Sequence, residues 1–435
     1  MGKVIEKVIY NDRFTNGIIG PSVEMLGPVK DGGTIIFETT PGCWGPMITP
    51  KLRGGHEVNI PVAVNGADVG DAIAVKIKSI RVKSKASSSG VDSPVEGSYF
   101  GDPFVAKKCP ECGTPWPESA LEGIGLESIH CAKCSKPASP FRMVHGYTMI
   151  FDDERHMGIT VNRDLAEKIA MKAWGWGGIP RNSVQFPALI AAKADLVGVV
   201  SRLRPFVGQL GTTPSVDMPD SHNAGDFGVF LVGAPHQYSL TLEQLDKGKT
   251  DGHLDIDSVR EGAVLICPVK IEGAGVYAGD MHAMQGDGEI AGHTTDISGE
   301  VTVEVNVIKE LTIDGPILLP PAEDLLPLAK PYTSDEWTEA QLLAEKYGVT
   351  LERSAPIQVI GTGADLNKAT MNGLERTAKL LNTSLEEIKN RVTISGGVEI
   401  GRLPGVVQIN VLAPIEKLEQ LGVAALVREL YKLPF

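Results

Sequence analysis

The chain has 435 residues, of which 42% are hydrophobic and 22% charged, enough for two or three globular domains with sizeable cores. Its formal net charge of −13 disfavours a general nucleic-acid or anionic-membrane surface, because both are bound through Lys and Arg. No apolar stretch is long enough to span a bilayer, and the first residues lack the apolar core of a signal peptide, so we expect a cytoplasmic protein. The 49 glycines and 29 prolines favour turn-rich β structure over helical bundles.

Residues 1–92 are predicted to form an N-terminal β unit. Apolar and polar residues alternate at 34–39 and 72–80, which is the period of half-buried strands. Between them, residues 61–71 indicate a short strand and a tight turn. A similar phrase at 268–274 also leads to a Gly-Asp pair, which suggests a weak internal repeat, although such turn dipeptides are common.

Four cysteines predict a zinc ribbon inserted at residues 93–140. They form two CxxC pairs separated by eighteen residues: Cys109 with Cys112, and Cys131 with Cys134. Four thiolates fill the tetrahedral shell of Zn²⁺ and leave no open position for a substrate, so we expect a structural Zn²⁺. Such an ion stabilises a module too small to build its own core. Docking of a partner protein is an alternative role for the ribbon, and the lead-in at 83–108 is expected to be a mobile connection.

The rest of the chain is predicted to form two further parts. Residues 141–310 are expected to be a β unit that carries the active site, and residues 311–435 an α/β part without ligand clusters, serving as scaffold or oligomer surface. Two capping boxes are predicted to begin helices there: Thr333 with Glu336, and Thr383 with Glu386. The expected fold is therefore α+β and mainly β, with a β-sandwich-like core, an inserted zinc ribbon and an α/β C-terminal part.

One glycine-rich stretch, residues 279–293, combines three carboxylates with two imidazoles. It has neither a helix period nor a strand period and is predicted to be a shaped loop. Asp280 and His282 are two positions apart, so on an extended backbone their side chains share one face and can bind one metal ion. Asp287 and Glu289 repeat that spacing. A solvated acidic hairpin is the alternative, but so many glycines beside ligand-type residues favour a functional site.

These motifs resemble the acetamidase/formamidase family, whose members hydrolyse short amides to a carboxylate and ammonia. The similar segments, which extend over most of the chain, are 66–71, 268–274, 279–289, a strand ending near 308–309, and a strand and return at 392–412. The resemblance implies β-sandwich structure with added α/β parts. It also implies a small amide substrate and a homo-oligomer of two or more chains, and the acidic charge predicts no nucleic-acid or membrane partner.

The sequence departs from the family pattern in two respects. The family phrase His-Gly-Gly-Asn-x-Asp, or its variant beginning with Asn, is represented by residues 250–255, where only Gly252 and Asp255 are kept. Residues 223–226 are a second partial match, so the motif does not align uniquely. A zinc ribbon is also not a common feature of the family. The substrate could therefore be a linear amide or a lactam.

Amide hydrolysis near neutral pH needs charge on the carbonyl oxygen and an activated water, and one divalent ion supplies both. No Gly-x-Ser-x-Gly elbow is present, and neither Cys43 nor Cys267 lies in a phrase typical of an activated thiol. We therefore predict a metal and carboxylate mechanism. The hypothesis assigns ligation to Asp280, His282 and Asp255, a further ligand or catalytic role to His253, the general base to Glu289, and orientation of a ligand to Asp287. The mixed nitrogen and oxygen donors favour Zn²⁺, with Ca²⁺ or Mn²⁺ as alternatives.

Two other functions are alternatives to hydrolysis. A family member that lost its chemistry could act as a binding or scaffold subunit through its ribbon, and it would then hold one zinc per chain instead of two metals. A zinc-ribbon nucleic-acid protein ranks last, because the local basic patch is small and the chain is acidic. That patch consists of Lys107, Lys108, Lys133 and Lys136.

Overall fold

The structure is a computed structural model that describes residues 4–435, so the first three residues of the predicted N-terminal unit lie outside the described part. Strands account for 33% of the chain and helices for 24%, which confirms the α+β, mainly β class. The strands are β1 Glu6–Asn11, β2 Ile18–Ile19, β3 Leu26–Thr39, β4 Val62–Val64, β5 Ala72–Val82, β6 Ala86–Pro94, β7 Ser119–Leu121, β8 Ile129–Cys131, β9 Phe141–Asp152, β10 Met157–Thr160, β11 Val200–Arg202, β12 Phe206–Thr212, β13 Met218–Pro219, β14 Val264–Pro268, β15 Val276–His282, β16 Asp296–Ile297, β17 Gly299–Ile308, β18 Ile317–Leu319, β19 Ser354–Thr362, β20 Gly397–Arg402 and β21 Val406–Pro414.

The helices are short except in the C-terminal part. They are α1 Trp44–Ile48, α2 Arg163–Ala170, α3 Ala173–Gly177, α4 Gly225–Gly228, α5 Leu242–Gly248, α6 Ser334–Tyr347, α7 Leu366–Leu380, α8 Leu385–Ser395, α9 Ile415–Gln420 and α10 Ala424–Tyr431. None of the helices in the described part of the chain combines the length and the apolar character that a membrane-spanning segment requires.

One mixed sheet of thirteen strands organises the molecule. Its order is β12-β15-β4-β3-β17-β5-β14-β18-β19-β21-β20, with β1 paired to β3 and β16 paired to β15. In β17 the valines at 301, 303 and 305 are buried while the residues between them are partly exposed, as expected for a strand with one face on the core. A second sheet, β11-β10-β9-β6, sends Met149 and Phe151 into the same hydrophobic cluster.

The ribbon segment leaves the core and returns to it at one point. β6 ends at Pro94, which pairs with Phe141 at the start of β9. The ribbon segment, residues 95–140, therefore begins and ends at one residue pair of the second sheet. The backbone N–H of Val95 donates to the carbonyl of Pro140 at 2.8 Å, which closes this base. The prediction of a mobile lead-in is wrong for 86–94, because these residues form β6 and the first five are buried.

The C-terminal part packs helices on the edge strands of the main sheet. α7 and α8 cover β19 and β21 through an apolar cluster that includes Leu374, Ile388 and Ile409. The capping box at Thr333 is present as predicted. The second box is displaced, because Ser384, not Thr383, accepts from the first turn of α8. The end of this helix also occupies residues 392–395, where the family resemblance suggested a strand.

Candidate functional site

The glycine-rich stretch is a strand for its first part. β15 extends through His282, so the expectation of a loop over the whole stretch is wrong for 279–282. Every residue of β15 is buried, as is usual for a strand covered on both faces, and this hides the alternation that would have revealed it. Asp280 and His282 lie on one face as predicted, with Asp280 Oδ1 2.8 Å from His282 Nε2.

A second imidazole–carboxylate pair meets Asp280 from the preceding loop. His253 Nε2 lies 3.0 Å from Asp255 Oδ2 and 3.6 Å from Asp280 Oδ2. All three side chains are almost fully buried. Asp255 and Asp280 both have positive φ, +49° and +53°, a conformation that residues other than glycine adopt infrequently and that recurs at functional sites. The structure therefore brings the two predicted pairs together around Asp280.

The sequence reasoning missed two more donors beside Asp280. Asp296 in β16 places Oδ1 3.6 Å from His282 Nε2. His56 Nε2 lies 3.7 Å from Asp280 Oδ2 and 3.5 Å from Cys43 Sγ. Asp280 thus belongs to three groups of side chains that could hold a cation. Its partners are His282 and Asp296 in the first group, His253 and Asp255 in the second, and His56 and Cys43 in the third. A Gly-Gly-His phrase at 54–56 was the available signal, but it is short and unspecific.

The hydrogen bonds of His56 fix its tautomer. Gln209 Nε2 donates to the carbonyl of Asp220 at 2.7 Å, so Gln209 Oε1 must face His56 Nδ1, which lies 2.9 Å away. His56 therefore donates from Nδ1 and keeps a lone pair on Nε2, the atom that faces Asp280. Burial lowers the pKa of His56 to about 4, so this ring is neutral at physiological pH. A neutral, oriented imidazole is suited to binding a cation.

Arg402 at the end of β20 brings positive charge to the same cluster. Its guanidinium donates to Asp255 Oδ2 at 2.9 Å and forms a bidentate pair with Asp226, at 2.9 and 3.1 Å. Nη1 also lies 2.6 Å from His253 Nε2, so it competes with a metal for that lone pair. The expectation that the C-terminal part is only scaffold or oligomer surface is wrong in this respect, because one of its strands supplies a residue of the site.

The two acids of the loop after β15 point in different directions. Glu289 is buried, and neither of its carboxylate oxygens has a hydrogen-bond partner within the described residues. Burial raises the pKa of Glu289 well above its ordinary value, and Asp255 adds to the increase. Asp287 is exposed, and its charge acts on Asp257 and Glu399 instead. The structure therefore does not bring Asp287 into the cluster, because the chain turns between these two positions, where Gly288 has φ +88°.

The cluster has the properties of a cation site. Buried carboxylate oxygens of Asp255, Asp280 and Asp296 lack a hydrogen-bond partner within the described residues. Burial alone would lower the pKa of His282, but Asp280 and the neighbouring carboxylates raise it well above the ordinary value. Burial also raises the pKa of Asp296 to about 7. So many buried acids attract either protons or a positive ion, and the donor set fits a divalent metal.

The cluster borders a small cavity of about 30 Å³. One water-sized group occupies about 10 to 15 Å³ of cavity volume. The cavity therefore holds two or three non-hydrogen groups when the surrounding side chains keep their positions. Its lining residues include His253, Asp255 and Glu289 as well as Phe104 and Lys107. Phe104 and Lys107 belong to the ribbon segment. Lys107 is therefore buried and not part of a basic surface patch.

The sulfur atoms of the four ribbon cysteines converge within 4.8 Å of one another. Cys109 Sγ lies 3.7 Å from Cys134 Sγ, and Cys112 Sγ lies 3.9 Å from Cys131 Sγ. A Zn–S bond of 2.3 Å gives an edge of about 3.8 Å between sulfurs of a tetrahedral site. None of these thiols is in a disulfide. The arrangement is compatible with a structural metal that is separate from the Asp280 cluster.

Fold and site together define a mainly β protein whose buried acid and imidazole cluster opens on a cavity for a small molecule. The chain belongs to the acetamidase/formamidase family, whose sequence model matches residues 43–419. The resemblance found in the sequence is thereby confirmed.

Individual relatives match smaller parts of the sequence. An acetamidase of Mycolicibacterium smegmatis is 26% identical over 269 residues, which cover 58% of this chain and 54% of that protein. A Schizosaccharomyces pombe protein assigned by name to the formamidases is 32% identical over 74 residues, or 16% of this chain and 18% of that protein. The chain thus matches about half or less of the length of these relatives.

Solved structures share the fold over nearly the whole chain. An acetamidase from Yersinia enterocolitica superposes with a TM-score of 0.52 at 17% sequence identity, covering 96% of this chain and 93% of that one. An acetamidase from Bacillus halodurans gives a TM-score of 0.51 at 17% identity, covering 96% of this chain and 100% of that one. At this level of identity the likeness concerns the fold alone.

Proposed function

We propose that the protein hydrolyses a short-chain amide to a carboxylate and ammonia in the cavity beside Asp280. The observation that carries the proposal is the buried cluster of acids and imidazoles, with unpartnered carboxylate oxygens, on a cavity of about 30 Å³. Membership of the acetamidase/formamidase family supports the reaction class. The small volume favours formamide- or acetamide-sized substrates over larger amides or lactams.

A divalent metal would be held by Asp280 together with His282, and by Asp255 or Asp296 from the flanking segments. When bound there it would supply the Lewis acidity that polarises an amide carbonyl and makes water more acidic. Zn²⁺ suits the mixed donors best, with Ca²⁺ or Mn²⁺ as alternatives. His253 donates from Nδ1 to the carbonyl of Ser221, which leaves Nε2 as a further donor that Arg402 and a bound metal would share.

Glu289 is proposed to take a proton from the attacking water and to return it to the departing ammonia. Its side chain faces the cavity, and no protein group uses its oxygens within the described residues. Burial, together with the charges of Asp255 and Asp280, raises the pKa of Glu289, and a bound cation would oppose that effect and favour the carboxylate.

The test is ammonia release from formamide, acetamide and larger amides by Glu289→Gln and by Asp287→Asn. Glu289→Gln should lower kcat by about 100- to 10,000-fold, the usual contribution of a general base. Asp287→Asn is a matched control, because this acid lies on the same loop but is exposed, and it should keep nearly full activity. Full turnover by Glu289→Gln on every amide that the parent hydrolyses would exclude the proposed base.

Localisation in the cytoplasm and assembly into a homo-oligomer remain predictions. Light scattering of the purified protein measures the second directly. The alternative of a binding or scaffold subunit predicts no amide turnover together with one metal per chain.

A further inference from the structure

One short turn lies behind two imidazoles of the Asp280 cluster, and the hydrolytic proposal gives it no role. This turn, Asp220–His222, is a single turn of 3-10 helix whose three residues are all buried. The carbonyl of Ser221 accepts from His253 Nδ1 at 2.5 Å. Because a carbonyl oxygen only accepts, Nδ1 must carry a hydrogen, and the lone pair of the neutral ring then lies on Nε2, the atom that faces Asp280.

The same turn also orients His56. The carbonyl of Asp220 accepts from Gln209 Nε2 at 2.7 Å, which turns Gln209 Oε1 toward His56 Nδ1. The carboxylate of Asp220 accepts from the backbone N–H of His56 at 2.7 Å. The rings of His56 and His253 contact each other edge to face, with their centroids 4.7 Å apart. A displacement of the turn would therefore move both imidazoles.

A buried carboxylate of the ribbon segment holds this turn. Asp102 Oδ2 lies 2.6 Å from His222 Nε2, and Asp102 Oδ1 accepts from the backbone N–H of Phe104 at 2.9 Å. The side chain of Asp102 is 7% exposed and that of His222 is fully buried. Burial alone would raise the pKa of Asp102, but the hydrogen bond from His222 holds this pKa below its ordinary value. The carboxylate is therefore ionised and only accepts, so Nε2 of His222 carries the hydrogen of this bond.

His222 passes this restraint on to its neighbour in the turn. Its second ring nitrogen, Nδ1, lies 2.9 Å from Ser221 Oγ. A continuous path of hydrogen bonds thus joins the ribbon segment to the cluster, from Asp102 through His222 and Ser221 to His253. Ser221 also packs closely on Gly55, where an added Cβ atom would come within 1.5 Å of Ser221 Oγ, so its side chain has no space to move in that direction.

We propose that Asp102 of the ribbon segment is a positioning residue that orients His253 and His56 for binding a divalent cation. It acts through His222 and the turn, and it takes no part in the bond-breaking step. The inference rests on the proposed function for what the cluster does with the cation. The ribbon segment would then support a centre to which it supplies none of the proposed ligands.

The test measures Mn²⁺ binding by equilibrium dialysis, with protein that keeps zinc on its four ribbon cysteines. Mn²⁺ takes carboxylate donors in preference to thiolates, so its binding reports on the Asp280 cluster. Asp102→Asn should weaken Mn²⁺ binding about 10- to 100-fold, which is the usual cost of removing a hydrogen-bond partner behind a metal ligand. The reason is that the new amide can donate toward His222 Nε2, which reverses the tautomer that the turn requires.

Glu118→Gln is the matched control. Glu118 also belongs to the ribbon segment, and its carboxylate lies 3.4 Å from Lys51 Nζ of the core. This ion pair is exposed and lies outside the path from Asp102 to His253, so its removal should leave Mn²⁺ binding unchanged.

Variants of His222 test the path itself. His222→Phe keeps a ring but has no donor, and it should weaken Mn²⁺ binding as Asp102→Asn does. His222→Gln keeps an N–H group for Asp102 and should retain more of the affinity. The double variant of Asp102→Asn with His222→Phe should bind little more weakly than either single variant, because both changes break the same hydrogen bond. The two His222 variants decide the matter even if Asp102→Asn fails to fold.

The outcomes separate this inference from the proposed function. If Asp102→Asn unfolds at a lower temperature but binds Mn²⁺ as tightly as the wild type, Asp102 has only a structural role, and the inference fails while amide hydrolysis by the wild type stands. If Asp102→Asn binds Mn²⁺ more weakly but the wild type hydrolyses no amide, the positioning role stands and the proposed function fails. A wild-type protein that binds no Mn²⁺ would also overturn the inference.

Discussion

At the scale of single residues, the site depends on how closely the backbone approaches Asp280. Gly42 lies against this side chain, and a Cβ atom on Gly42 would come within 1.3 Å of Asp280 Oδ1. That separation is impossible, so any larger residue at position 42 must displace the carboxylate or the strand that carries it. A glycine outside the predicted motif therefore protects the geometry of the cluster.

Gly42→Ala should lower amide turnover by about 100-fold, since a displacement of the order of 1 Å at a catalytic group has effects of that size. Steady-state ammonia release measures it. Gly286→Ala is a matched control. Gly286 lies in the same loop as Glu289, and a Cβ atom added to it would have no neighbouring atom within 4 Å. Equal activities of the two variants would show that Asp280 tolerates displacement.

The sequence predicted part of this residue set for a clear reason. Asp280 and His282 are close in the chain, so strand geometry alone places them together. Asp296, His56 and Arg402 reach the cluster from other strands and loops, and their proximity depends on how the sheet is assembled. No local spacing encodes such contacts, which is why single-sequence reasoning missed all three.

At the scale of secondary-structure elements, the C-terminal part fastens the loop that carries His253 and Asp255. Arg376 of α7 donates to Asp251 Oδ2 at 2.7 Å, and Thr362 at the end of β19 donates to Asp251 Oδ1 at 3.0 Å. All of these polar groups are buried. A helix and a strand far along the chain thus hold the loop that leads into the site.

Asp251→Asn should reduce the free energy of unfolding by about 3 to 5 kcal/mol, because it leaves the Arg376 charge buried without its partner. Denaturant titration followed by tryptophan fluorescence measures the change. Asp314→Asn is the control: its ion pair with Lys379 is largely exposed, and its loss should alter stability by less than about 1 kcal/mol.

The same ion pair predicts a response to acid. Burial alone would raise the pKa of Asp251, but Lys249 and Arg376 lower it from 3.8 to about 2. Since the folded pKa lies below the unfolded one, this contribution to stability is complete above about pH 4 and is lost as the pH falls towards 2. Asp251→Asn should therefore flatten this part of the stability profile, and an unchanged acid limb would contradict the assignment.

Sequence patterns predicted some elements and misjudged others. β3 alternates between buried and partly exposed residues over 33–37, so the alternation of its sequence predicted a strand correctly. β15 is buried along its whole length, so its last residues, 279–282, show no alternation and the sequence predicts a loop there. β6 begins with small polar residues, Ser87, Ser88 and Ser89, that are buried between neighbours, and its composition suggested mobility instead.

At the scale of the whole molecule, two metal sites are expected to serve different purposes. We expect a metal at the four ribbon cysteines to stabilise the segment that carries Phe104 and Lys107, and a metal at the Asp280 cluster to take part in the proposed hydrolysis. A double variant, Cys112→Ser with Cys134→Ser, should therefore lower the zinc content by one per chain and also lower activity, because the cavity loses its ribbon-side wall.

Elemental analysis of purified protein should give two metals per chain for the wild type and one for that double variant. Cys267→Ala is the matched control: this cysteine is buried in the main core and belongs to neither site, so the metal content should not change. One metal per wild-type chain would instead support the scaffold alternative.

The sequence was most informative at this largest scale. The family resemblance and the cysteine spacing predicted the fold class and the convergence of the four cysteines, because both depend on local motifs. That the ribbon segment lies over the cavity could not be predicted, since it depends on contacts such as Lys107 with Pro46 and Asp102 with His222, which join segments distant in the chain.

The base of the ribbon segment, where Pro94 pairs with Phe141, has an evolutionary consequence. A segment that leaves and rejoins the sheet at one residue pair can be replaced as a unit, because its replacement leaves the register of β6 and β9 unchanged. Grafting at this junction would then change the residues that line the cavity on the ribbon segment and leave the strands that carry the Asp280 cluster unchanged.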